Sequence, residues 1–550
     1  MSEYRGSSRV TGFILSLELL LLVAAAVLLL AAVREGALEL PVFDGVRGAL
    51  KLDSITKGPA LLRVYKDRAA IMWESSTEGP WKVYFGDAGG LDRYIESTPQ
   101  QVEYEFENDA KQIVKKTAFI HKVWIESLRP AQEYCYRVAG PWLRGKTHRF
   151  KTADAESDEV RFLVYGDSRT RPETHRKLVE LMIREKVDFI VHTGDLVSSG
   201  NKYEQWGPQF FEPLKGLMES VPVYIVKGNH EGDNGNYEKL LIPGGEENSF
   251  GFDYGPVHFF CLDNVSKGKK TKERLNKIVA DAKSSGAAWK FVSYHVPSVN
   301  FGGHRSKWAA PAALPALAEA GADFVLAGHS HQYERFRPVS PPSGSNASFV
   351  SYITTGGGGA SLYGIEPTIY HASTKQIHHY CRFHIKGDKL TMDAIDIDGN
   401  VIDHVEITKT EGRPDKQYLW TAIPMGGITL HQTLRPALEK PLSAKPAKNQ
   451  PFVISYKLSV SELASPAMIT LALRCRDRAY ELPEAKTLTI PKEGGTLEVE
   501  LTATPLVDVE LSDKRQGNGR PIVPALWLDC HYEIERVSES ITLPIVVKDN

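Results

Sequence analysis

Between residues 158 and 409 the chain repeats one pattern: a short apolar run that ends on a polar residue, usually with a glycine just before it. RFLVYGD ends at Asp167, DFIVHTGD at Asp195, VYIVKGNHE passes through Asn229 and His230, KFVSYH ends at His295, and DFVLAGHSH carries His329 and His331. The apolar runs read as buried strands, and segments such as PETHRKLVELMIREK (Pro172 to Lys186) between them have helical spacing and a proline at the start. That alternation predicts an α/β fold. In such sheets the carboxyl ends of the strands face one crevice, so polar tips far apart in sequence are expected to converge there. Each tip alone has an ordinary explanation, since Asp and Asn favour turns and a histidine can cap a buried strand. The ordered set does not, and the glycines before Asp167, Asp195, Asn229 and His329 would let backbone approach a common centre.

Carboxylates, an amide oxygen and imidazoles are ligands for metals of intermediate hardness. Asp195 has two oxygens and can bridge two ions, and ions about 3.5–4 Å apart can clamp the oxygens of an in-line phosphoryl displacement. Such a site needs no nucleophilic Ser or Cys.

The ordered blocks GD (Gly166-Asp167), GDLV (Gly194 to Val197), GNHE (Gly228 to Glu231), the histidine of SYHVP (Ser293 to Pro297) and GHSHQYER (Gly328 to Arg335) resemble the calcineurin-like metallophosphoesterases. Within them they resemble the purple acid phosphatase branch. HRFKTA (His148 to Ala153) also resembles the end of the fibronectin-like sandwich that this branch commonly bears. The resemblance implies an α/β/β/α sandwich and a dinuclear metal-dependent phosphoesterase, acid phosphatase-like and acting on monoesters of phosphorylated small molecules. It implies two divalent or trivalent ions drawn from Fe, Mn or Zn, with a metal-bridging hydroxide attacking phosphorus in line. Position by position, Asp167, Asp195 and His331 would hold one ion, and Asp195, Asn229, His295 and His329 the other. His230 would act as an acid toward the leaving group, and His304, in NFGGHRSK, would contact substrate phosphate or be a loop histidine without a role.

Two departures stand out. The purple enzymes place a tyrosine three residues after the second-block aspartate, where this chain has Ser198, and the wider family uses Asp-x-His in the first block, where this chain has Arg169. The first ion therefore lacks its usual fourth protein ligand, no tyrosinate colour is expected, and His175 or His192 could substitute only from positions the family does not use. Arg169 either forks onto a phosphate oxygen or pairs with a neighbouring carboxylate. Two rival functions follow: a phosphodiesterase acting on nucleotides or lipid head groups, and a surface binding protein whose phosphoesterase domain is weakly active or inactive.

The remaining sequence adds context. Gly12 to Val33 is an apolar run of about 20 residues, enough to cross a bilayer, preceded by Arg5 and Arg9. We expect a cytoplasmic stretch 1–11, a transmembrane signal-anchor over 12–33, and an extracytoplasmic remainder, periplasmic or at the cell surface. A signal peptide cut after Ala31-Ala32 would make the protein secreted, and a buried core helix is the third reading. Residues 57–153 read as a fibronectin III-like β-sandwich, 158–409 as the catalytic domain, with 347–408 completing a second sheet, and 414–550 as a second β-sandwich of unknown role, entered through a Pro/Lys/Ala-bearing connection over 436–451. With 66 basic and 68 acidic residues among 550, no nucleic-acid partner is expected. The five cysteines make no disulfide framework; at most Cys475 and Cys530 would pair. The glycine run Gly356 to Gly359 lacks a GK[ST] ending and reads as a loop passing close to the metals.

Overall fold

A layer of phenylalanines sets the spacing of the central region. The computed structural model describes residues 53–548 apart from 88–89, 269, 305–307, 343–344, 464, 477 and 516–520. Among these, two seven-stranded sheets face each other. Phe162 stacks between Phe189 and Phe383 of its own sheet, each 4.9 Å away, and meets Phe259 and Phe291 of the other sheet edge-on at 5.1 and 5.3 Å. Stacking within a sheet and edge contacts across it suit the ring quadrupoles, and all five rings are buried.

In the first sheet Glu159–Tyr165, Phe189–His192 and Val223–Ile225 run parallel. In the second, Val257–Leu262, Trp289–Tyr294, Phe324–Ala327 and Ser351–Thr355 do so. Their carboxyl ends therefore open on one edge of the double layer. The helix Pro172–Met182 covers the outer face of the first sheet through Leu178, Val179 and Met182. Thr271–Ser284 and Ala310–Glu319 cover the second, burying Leu275, Ile278, Leu314 and Leu317. The layering is α/β/β/α, with β-rich regions on both flanks.

Three expectations need correction. The segment 347–408 does not complete a single second sheet: Ser351–Thr355 and His371–Lys375 join the second, whereas His379–Lys386, Lys389–Asp396 and Val401–Thr410 extend the first. Cys381 and Phe383 face the inter-sheet layer, so the strand that carries them is drawn to the first sheet beside Glu159–Tyr165. The connection expected over 436–451 starts three residues later, and 439–451 carry no helix or named strand. Pro436 lies in the last turn of a buried helix, Met425–Leu438, whose packing overrides its two glycines. Cys475 and Cys530 are both free thiols.

On the amino-terminal flank two four-stranded sheets enclose Leu61, Trp73, Trp81, Val83 and Tyr136. This region is tied to the centre by buried polar contacts: Tyr136 Oη donates to the Glu219 carbonyl at 2.8 Å, and Leu61 N–H to the Met218 carbonyl at 2.8 Å. Glu74 receives both the Lys57 ammonium, at 2.6 Å, and the Tyr203 hydroxyl. On the other flank Tyr370 and Tyr532 hydroxyls meet at 2.6 Å, and His431 Nδ1 lies 2.9 Å from the Tyr532 oxygen. The run Gly12 to Val33 lies outside the described residues. Among the described residues no helix is long and apolar enough to cross a membrane.

His258 ties the second sheet to its helix, with Nδ1 2.8 Å from Asp253 Oδ1 and Nε2 2.6 Å from Asp281 Oδ2. Burial alone would lower its pKa, but the two carboxylates outweigh burial and raise it to about 9. An imidazole raised on folding stabilises fully below its unfolded pKa of about 6.5 and loses that contribution as pH climbs through the folded value. The melting temperature of the wild type should therefore fall, relative to His258→Gln, between about pH 6.5 and 9. A constant difference across that range would contradict the assignment.

Candidate metal centre

The polar tips do converge. Asp167, Asp195, His295 and His331 are almost fully buried, and His329 lies beside them. Three of these residues sit at backbone angles that side chains seldom adopt: φ is +58° at Asp167, +58° at Asp195 and +67° at His329. Each follows a strand end and a glycine, and the left-handed turn aims the side chain into the crevice instead of along the strand. Such strain persists only where surrounding contacts over-determine it. Here the His329 N–H donates to both oxygens of Asp167, at 3.0 and 2.8 Å, and the His230 N–H to Asp195 Oδ1 at 2.9 Å. Close backbone approach is equally strict, because a Cβ on Gly228 would lie 2.3 Å from both the Asp195 nitrogen and Oδ1.

Two groups of donor atoms result, each lying within 4.8 Å of one another: Asp195, His295 and His329 in one, Asp167, Asp195 and His331 in the other. Asp195 belongs to both. Asn229 Oδ1 joins the first group, 3.0 Å from His295 Nε2 and 2.9 Å from His329 Nδ1. The tautomers suit ligation: His295 Nδ1 donates to the Thr193 carbonyl and His331 Nδ1 to the Ser361 carbonyl, each at 2.8 Å, which leaves both Nε2 lone pairs directed inward. Lone pairs that face one another at such distances repel unless a proton or a cation lies between them. The donor set therefore fits a pair of metal ions.

The same residues shift one another's ionisation. Burial alone would raise the Asp195 carboxyl, but His295 and His230 outweigh it and hold the group well below the usual carboxylate range. Burial would lower His295, yet Asp195 and Asp167 raise it to about 9. His329 is lowered to about 2, by burial first and then by His295 and His304.

The other expected residues surround this pair of groups. His230 Nδ1 donates to the Ser198 carbonyl at 2.7 Å, and its Nε2 lies 3.8 Å from Asp195 Oδ2. His304 is half-buried with its ring 4.1 Å from that of His329. Arg169 places Nε 3.4 Å from Asp195 Oδ2 and an Nη 3.4 Å from His331 Nε2, so it pairs with the carboxylate. Ser198 hydrogen-bonds Gln209 at 3.0 Å and offers no ligand. His175 turns to the Tyr165 hydroxyl and His192 to Ser168, so neither supplies the fourth ligand of the first ion. The glycine run does pass close by: a Cβ on Gly356 would come within 2.9 Å of Asp167 Oδ2.

Two residues gained no role from sequence. Tyr363 stacks on His331 at 4.3 Å, and it lies in a loop without a pattern to mark it. Glu231, fully buried, accepts N–H bonds from Asp195 at 2.9 Å, Leu196 at 2.8 Å and Gly228 at 2.6 Å. It is the last letter of GNHE, and that position was the available signal. Glu231→Gln replaces one acceptor by a donor facing backbone N–H groups, and such supporting contacts typically govern about 10–100-fold in metal affinity. Metal content after dialysis should fall accordingly with all direct ligands intact, and an unchanged content would show that Glu231 does not hold the loop.

A family model described as calcineurin-like phosphoesterase matches residues 160–333. The chain is 29% identical over 265 residues to purple acid phosphatase 21 of Arabidopsis thaliana, covering 44% of this chain and 58% of that protein. It is 24% identical over 306 residues to probable inactive purple acid phosphatase 1 of the same plant, covering 44% and 49%. The chain thus spans about half the length of these curated relatives. Among solved structures, PhoD aligns at 13% identity and a TM-score of 0.48, over 69% of this chain and 98% of that one. The strand-tip blocks and their converged geometry lie within the matched segment, and residues 160–333 form a calcineurin-like phosphoesterase domain with purple acid phosphatases among its homologues.

Proposed function

We propose that the chain is a hydrolase of phosphate esters, a dinuclear metal-dependent phosphomonoesterase acting on phosphorylated small molecules. The observation that carries this reading is the shared carboxylate, since Asp195 belongs to both donor groups. Two ions bound there would supply Lewis acidity toward phosphoryl oxygens and a water that ionises near neutral pH. The residues of the chain provide the rest. Ligand lone pairs fix the position of the positive charge, and burial excludes competing water. Arg169 at one group and His304 at the other, with Tyr363 between them, bound the cleft in which a phosphate would lie. The Ser198 carbonyl orients His230, so that a proton held at Nε2 is placed to pass to the leaving oxygen. The formal charge of −2 supports a small-molecule substrate over a nucleic acid. For localisation we propose a single anchor over 12–33 with the enzyme outside the cytoplasm, supported by the length of the run and by Arg5 and Arg9, or secretion if the run is cleaved.

Turnover of an aryl phosphate monoester and diester, measured with metal content on one sample, tests this reading. Monoester hydrolysis should exceed diester hydrolysis, vanish on chelation and return with added metal. Faster diester hydrolysis would favour a phosphodiesterase, and bound metal without turnover would favour a binding protein. His230→Ala should lower kcat by about 10²–10⁴-fold on an alkyl phosphate, whose leaving group needs a proton, and less on the aryl ester. Equal turnover of the alkyl ester by variant and wild type would refute the acid role.

A further inference from the structure

We infer that Arg169 is a built-in counter-cation of the Asp167/His331 half of the centre, so that this half holds its ion weakly and exchangeably while the Asn229/His295/His329 half holds its ion tightly. The inference rests on the dinuclear reading above.

The two halves differ in what their lone pairs face. In the second half Asn229 Oδ1, His295 Nε2 and His329 Nδ1 face one another, at 2.9 to 3.3 Å. In the first half a single guanidinium reaches both Asp195 Oδ2 and His331 Nε2, each at 3.4 Å. Because His331 Nδ1 already donates to the Ser361 carbonyl, its Nε2 is an acceptor, and the arginine N–H points at the lone pair a metal would use.

A guanidinium suits this part. It carries donors only and keeps its charge at all working pH, so it neutralises the carboxylate without ever becoming a ligand. The side chain is only 16% exposed, and an Nη lies 3.3 Å from the Thr170 hydroxyl. Contacts of 3.4 Å are long for hydrogen bonds, so the arginine is a displaceable occupant. An ion entering this half must push the guanidinium aside or sit beside a like charge. Among the described residues the same half has no fourth side-chain ligand, since Ser198, His175 and His192 are all engaged elsewhere. Missing ligation and a competing cation are separable causes of weak binding, and only the second belongs to Arg169.

Titration of the chelator-stripped full chain with Mn²⁺, followed by calorimetry and by the electron paramagnetic resonance of free and spin-coupled manganese, separates them. The wild type should show one tight step and a second at least about tenfold weaker. Arg169→Ala should tighten the second step about tenfold and leave the first unchanged, whereas Arg169→Lys, which keeps the charge, should leave the second step weak. Equal affinities in the wild type, or an unaltered second step in Arg169→Ala, would overturn the inference while leaving the dinuclear reading intact. Loss of both steps in Arg169→Ala would give the arginine a structural role and overturn it as well. Absence of manganese binding in every variant would overturn the dinuclear reading, and the inference with it.

Discussion

Two carboxylates buried a few ångströms apart, with imidazole lone pairs turned toward them, need positive charge between them. Asp167 and Asp195 are at most 1% exposed, and an unpaired buried ion costs several kcal/mol even after relaxation. His295 Nε2 lies 3.2 Å from Asp195 Oδ1, and the Arg169 guanidinium 3.4 Å from Oδ2. The two oxygens of one aspartate thus look to two different partners, one on each side of the crevice. That division matches the two donor groups that share Asp195.

The fold places this charge where it does by spending backbone strain at the tips. Left-handed angles at Asp167, Asp195 and His329 turn the chain sharply as it leaves each strand, and bare glycines before them let neighbouring turns touch. Glu231 then clamps three N–H groups from two separate turns with one carboxylate. The phenylalanine layer beneath sets the separation of the two sheets, so the first sheet presents Asp167, Asp195 and Asn229 opposite His295, His329 and His331 from the second. Neither sheet alone holds a complete set.

Much of this was legible in the sequence because the same residues carry both the local and the global signal. Strand tips such as Gly194-Asp195 and Gly328-His329 mark a strand end, a tight turn and a ligand at once, and their order fixed their meeting place. Elements whose signals conflict were hidden. The helix Met425–Leu438 contains Gly426, Gly427 and Pro436, which argue against a helix locally, and it exists because tertiary packing on the tail buries it. The sheet membership of His379–Lys386 depends on which strand lies beside it, a non-local fact that alternation cannot carry. Tyr363 reaches the site from a loop with no periodicity. Arg169 was visible as a departure, but its contact with His331 across the two sheets was not.

Anomalous diffraction from crystals grown in saturating Mn²⁺ bears most directly on the shared-carboxylate centre. Two peaks should flank Asp195, one contacted by Asp167 and His331, the other by Asn229, His295 and His329. A crevice without a peak at saturation, or manganese bound only at surface carboxylates elsewhere, would contradict it.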